Sequence, residues 1–224
     1  HRQEDRFALI GYISPQNGVE IVSMKAVAPT SAYADYHQYD TRIFLCDEDG
    51  HDVAEAHSDD FCHFRIMPSE CPIDVSKRYY IRAMSDTLSE AHSLPSDFPP
   101  PVLIDSVVLH RGATSSTCQM NVYFNNDSLS STTLYGVRLT LYGHDIAYVW
   151  REVRCNISRH GPSSVSMRLS ELNGKDSVSV QLLRCSDDVV KYEYSLAEAH
   201  SAENDFYYET VTPIFNNIIG GYGC

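Results

Sequence analysis

Along much of the chain, apolar and polar residues alternate with period two. Cys118, Met120, Val122 and Phe124 alternate with polar neighbours, as do Val137, Leu139 and Leu141. Val165, Met167 and Leu169 repeat the pattern, followed by Val178, Val180 and Leu182. Successive side chains of a strand point to opposite faces, so each set can line one side of a sheet. Tyr192, Tyr194 and Leu196 read as a last strand. In the N-terminal half, residues 21–27, 41–46, 61–67 and 79–84 behave alike. Few stretches keep apolar residues at helical spacing over three turns. Turn-forming clusters such as 125–131 and Asn173-Gly174-Lys175-Asp176 bound the runs. The pattern predicts an all-β chain built of antiparallel sandwiches.

The chain also repeats itself. Gly50-His51-Asp52-Val53-Ala54 reappears as Gly143-His144-Asp145-Ile146-Ala147, an offset of 93 that Cys62 and Cys155 share. Leu88-Ser89-Glu90-Ala91-His92-Ser93 reappears as Leu196-Ala197-Glu198-Ala199-His200-Ser201, an offset of 108. Matches in the same order with a growing offset point to two copies, the second carrying insertions. A further AEAHS at 54–58 has no counterpart and reads as chance. Pro99-Pro100-Pro101 supplies no N–H donors and favours an extended connector. The expected division is a first domain over 1–97, a second over 98–209 and a tail over 210–224.

These features resemble tandem fibronectin type III domains, a Greek-key sandwich of the immunoglobulin-like kind. Pro99 to Ile104 resembles a proline-led first strand, and Tyr79-Tyr80-Ile81-Arg82-Ala83 resembles the penultimate strand. Ile73, six residues before Tyr79, matches the spacing of a tyrosine corner. In the second copy Val178 stands where that tyrosine would be. The strand-B tryptophan is missing from both copies, so Met120 or Val122 must fill its volume. Trp150 falls on what reads as an edge strand. Two such domains also resemble a cytokine-receptor-like ectodomain, although the WSxWS sequence is absent.

Composition narrows the setting. The 224 residues carry a formal charge of −13, which argues against a nucleic-acid partner. No apolar run reaches membrane-spanning length and no signal peptide is recognisable, so membrane attachment would need an anchor outside these residues. The seven cysteines form no CxxC pair. Dispersed cysteines, 15 tyrosines and the sequons at Asn126 and Asn156 favour a secreted or cell-surface glycoprotein. Cys46, Cys62, Cys71, Cys118, Cys155 and Cys185 are then expected in disulfides, leaving Cys224 over.

For catalysis the sequence offers no nucleophile elbow, HExxH, P-loop or GxGxxG. His57-Ser58-Asp59 are too close together on one strand to form a triad. The densest ligand cluster is Asp47-Glu48-Asp49-Gly50-His51-Asp52, but Ser58 stands where an EF-hand loop has its bidentate glutamate. No metal, cofactor or catalytic residue is assigned, and the protein is read as a non-enzyme. The type III resemblance implies that Asp47–Asp52 and 72–76 of copy one, with 125–130 and the F–G loop 187–191 of copy two, approach a common junction. Asp47, Glu48, Asp49, His51, Asp52, Asp187, Asp188 and Tyr192 are therefore the expected binding residues, steering a basic protein ligand. Tyr33, Tyr36 and Tyr39 offer a second recognition surface. The expected function is recognition of an extracellular protein by a receptor ectodomain, adhesion protein or decoy, of unassigned oligomeric state. A structural or antigenic surface protein is one rival. A glycan-binding or hydrolytic module is the other.

Overall fold

A computed structural model describes residues 5–26, 40–58, 60, 62–111, 117–128, 133–142, 147–157, 160–170, 177–203 and 214–224. They are mostly strand, with one helix among the described residues. That helix is not long and apolar enough to cross a membrane. The chain divides into two compact units: His1–Phe98 with Lys191–Cys224, and Pro99–Val190.

In the first unit, strands β1 (Arg6–Ser14), β2 (Gly18–Ala26), β3 (Arg42–Asp47) and β4 (Asp52–Glu55) are followed by β5 (His57–Ser58), β6 (His63–Ile66), β7 (Tyr79–Met84) and β8 (Ala91–Ser93). The second unit contains β9 (Ile104–Arg111), β10 (Thr117–Asn126), β11 (Thr133–Tyr142), β12 (Ala147–Ile157), β13 (Gly161–Ser170) and β14 (Ser177–Arg184). Helix α1 (Asp187–Glu203) follows, and β15 (Ile218–Ile219) and β16 (Tyr222–Gly223) return the chain to the first unit.

Each unit stacks two sheets over one core. The first unit has the strand orders β16-β1-β2-β6-β5 and β15-β8-β7-β3-β4. Alternation places Phe7, Leu9, Val19, Ile21, Phe64 and Ile66 inward from one sheet. Ile43, Leu45, Tyr79, Ile81 and Ala83 come from the other. The second unit has the orders β13-β10-β9 and β12-β11-β14. Met120, Val122, Phe124, Val165, Met167 and Leu169 meet Tyr135, Val137 and Leu139 in its core. Met120, Val122, Phe124, Val137, Leu139, Val165, Met167 and Leu169 from the alternating sets thus line this core, with Cys118, Val178, Val180 and Leu182 packed against it half-buried. Trp150 lies on β12, which in its sheet pairs only with β11. Tyr79 is 4% exposed, and its Oη accepts the Asp74 N–H at 3.3 Å, which ties the incoming loop to β7.

Two expectations fail. Tyr192, Tyr194 and Leu196 lie in α1, not on a strand. Asp187 and Asp188 place negative charge in its first turn, where the helix dipole favours it, and no Gly or Pro interrupts the segment. Residues 214–224 are no loose tail either. β15 pairs with β8, while β16 runs parallel to β1, so this segment occupies the edge of both sheets of the first unit. Gly223 there has φ +124°, and a Cβ on it would stand 1.7 Å from Leu9 O.

Candidate functional site

The acidic run forms the turn between β3 and β4. Asp47 Oδ1 accepts the backbone N–H groups of Asp49 (3.1 Å) and His51 (2.8 Å), and Asp47 Oδ2 lies 3.4 Å from His51 Nδ1. The backbone adds Gly50 N–H to Asp47 O at 3.1 Å and Asp47 N–H to His51 O at 3.0 Å. Gly50 sits at φ +89°, a conformation glycine adopts without steric cost. Chiefly the His51 N–H holds the Asp47 carboxyl below the usual carboxylate range. Asp47 is thus the clamp of the turn, while Glu48, Asp49 and His51 are exposed on it.

Asp52 faces elsewhere. Its two carboxylate oxygens receive Arg82 Nη2 at 2.7 and 2.8 Å, and Cys46 Sγ donates to Oδ1 at 3.3 Å. Arg82 also lies over the Phe44 ring at 5.3 Å, and Arg42 lies over the same ring at 4.9 Å. Arg42 forms a two-point pair with Glu55 (2.8 and 3.0 Å). The side chains on this face of β3, β4 and β7 therefore neutralise one another. The uncompensated charge is concentrated on Glu48 and Asp49. Nearby, Tyr80, Arg82, Glu90, His92, Ser93 and Pro95 line a shallow recess of about 200 Å³. Small-molecule sites typically occupy ~300–1,000 Å³, so this face presents surface for contact more than a pocket.

The other expected residues are scattered. Asp187 and Asp188 open α1, so the expected F–G loop is the first turn of a helix; Tyr192 is half-buried in that helix. Asp47–Asp52 belong to the first unit and Asp187 and Asp188 to the second. Tyr33, Tyr36 and Tyr39 lie outside the described residues, as do His144 and Asp145.

Asn126 is 1% exposed; its Oδ1 accepts Tyr135 Oη–H at 2.7 Å and Ser128 N–H at 3.1 Å. Its amide oxygen is thus part of the hydrogen bonding at the end of β10. Asn156 lies on β12, opposite Leu134, with its side chain outside the described residues.

All seven cysteines are free thiols in this structure, so none of the six expected in disulfides is paired. Cys46 and Cys71 are buried and the others half-buried. Alternation along β3 places Cys46 on the Phe44 face, where its thiol donates a hydrogen bond to Asp52.

No family model matches this chain, and no curated protein matches it.

Proposed function

We propose that the protein is a recognition protein whose two units are fibronectin type III-like Greek-key sandwiches. It would bind a basic extracellular protein ligand through inter-strand loops. The strand orders support the fold reading. Taking β1, β2, β3, β6, β7 and β8 as strands A, B, C, E, F and G gives one sheet holding A-B-E and another holding C-F-G. The second unit has the A-B-E arrangement in β9, β10 and β13 and a C′-C-F sheet in β12, β11 and β14, with helix α1 following where strand G would come. Asp74 and Tyr79 make the hydrogen bond expected of a tyrosine corner.

One observation carries the functional reading. The β3–β4 turn is held by the Asp47 carboxylate and leaves Glu48 and Asp49 exposed, with no Lys or Arg ion pair to either among the described residues. A preorganised loop loses little entropy on binding, and unneutralised charge steers an oppositely charged partner. Placement outside the cell is part of the proposal and is supported by the Asn156 sequon; the seven cysteines, all free thiols, add nothing to it.

The test is a binding screen of the full chain against secreted and cell-surface proteins at low and physiological salt. A saturable hit that weakens about two- to fivefold for each of Glu48→Gln and Asp49→Asn, mainly through slower association, is expected. No hit, or a hit indifferent to salt and to both substitutions, would overturn the site. Asp52→Asn is unsuitable as a probe because it also breaks the Arg82 pair.

A further inference from the structure

The turn between β5 and β6 gathers three side chains of different donor chemistry. Asp60 Oδ2 lies 2.7 Å from His63 Nδ1, and Cys62 Sγ lies 3.5 Å from the same nitrogen. All three ligand atoms fall within 4.8 Å of one another. We propose that Asp60, Cys62 and His63 form a binding site for a zinc-class divalent ion.

Three features carry the assignment. The first is distance. Tetrahedral zinc with Zn–S near 2.3 Å and Zn–N near 2.0–2.1 Å separates sulfur from nitrogen by about 3.6 Å. The sulfur and imidazole nitrogen already stand 3.5 Å apart. The carboxylate oxygen is closer than the ~3.3 Å edge such an ion needs, so it must retreat by about half an ångström. The second is positioning. Asp60 Oδ1 accepts the N–H groups of Cys62 (2.8 Å) and His63 (2.7 Å), which fixes the carboxylate and aims Oδ2 at the imidazole. The Cys62 carbonyl in turn accepts Ser23 N–H at 2.8 Å, tying the turn to β2. The third is chemistry and access. Thiolate with imidazole selects zinc, cobalt or copper over calcium and magnesium. The His63 and Asp60 side chains are 48% and 50% exposed, so an ion would enter from solvent and keep water in its remaining position. This site is independent of the recognition reading, which uses the β3–β4 turn.

Cobalt(II) titration of the reduced full chain tests it. Expected is a thiolate-to-cobalt charge-transfer band saturating at one ion per chain and displaced by zinc. Cys62→Ser should abolish the band. His63→Ala and Asp60→Asn should each weaken binding about 10-fold or more. Cys224→Ser should leave the band intact. Absence of the band, its survival in Cys62→Ser, or indifference to both His63→Ala and Asp60→Asn would overturn the proposal. Far-ultraviolet circular dichroism checks that each variant is folded, as substitutions in an exposed turn should permit.

Discussion

Cys46 and Tyr135 show how single polar groups are accommodated among apolar ones. Cys46 is fully buried, and burial first, then its bond to Asp52, pushes the thiol up to about 11 from an ordinary 9.0. A folded-state pKa above the unfolded one favours folding fully below pH 9, and the advantage disappears as pH rises through 11. Urea midpoints should therefore fall between pH 9 and 11, and Cys46→Ala should flatten that fall. An unchanged slope in the variant would assign the alkaline loss to other groups. Tyr135 is also fully buried, and its hydroxyl donates to Asn126. Tyr135→Phe keeps the ring against Phe124, 4.7 Å away between centroids, while removing one donor to a buried amide oxygen. The expected cost is about 1 kcal/mol by denaturant unfolding, against about 3–5 kcal/mol for Tyr135→Ala, which also opens a cavity.

At the scale of elements, one tetrapeptide exposes the limit of local reading. Glu-Ala-His-Ser ends in strand β8 at Ala91–Ser93, yet the same residues at 198–201 belong to helix α1. In the first copy Ala91 is fully buried and pairs with Ala83. In the second, the peptide continues a segment free of Gly and Pro that opens on acidic Asp187 and Asp188 at the favourable end of the helix dipole. Tertiary pairing decides, and a four-residue match carries no information about it. The first Gly-His-Asp run turns β3 into β4, and its second copy lies outside the described residues. Strands with strict alternation, such as Met120 to Phe124, were legible because burial enforces the period. Short edge strands such as β15 and β16 were not, since two residues hold no period. The turn clamp was partly legible: the sequence locates Gly50 and the carboxylates, but their hydrogen bonding assigns the capping to Asp47 and diverts Asp52 to Arg82.

Helix α1 yields its own prediction. Ser195 Oγ donates to Tyr192 O at 2.8 Å and accepts Phe215 N–H at 2.7 Å, joining the helix to the segment that precedes β15. In Ser195→Ala the Phe215 amide should exchange about fivefold faster, the equivalent of roughly 1 kcal/mol for one lost hydrogen bond. Unchanged exchange at Phe215 would show that the segment is held by β15 and β16 alone.

For the molecule as a whole, closure of the first unit depends on residues far away in sequence. Cys224 N–H donates to Leu9 O at 3.1 Å, and Gly11 N–H to Cys224 O at 3.0 Å, so β16 covers the backbone edge of β1. Gly223→Val would drive a side chain into the Leu9 carbonyl and displace that cover. Uncovered edges pair with other chains, so the variant should aggregate on warming where the parent remains monodisperse by light scattering. The two cores share no residue: Leu45 and Ile43 belong to one, Leu139 and Val137 to the other. Each buries its own apolar surface, and each should therefore melt by its own energetics. Leu45→Ala and Leu139→Ala each remove a fully buried side chain, at an expected cost of about 2–5 kcal/mol. In calorimetry the first substitution should lower one of two transitions and the second the other. The chain passes between units once inside α1, after Val190. If either substitution moved both transitions together, the protein would unfold as one cooperative body. Independent shifts would make the units separable modules, and the proposed binding role of the β3–β4 turn would then be testable on the first unit with its C-terminal segment restored.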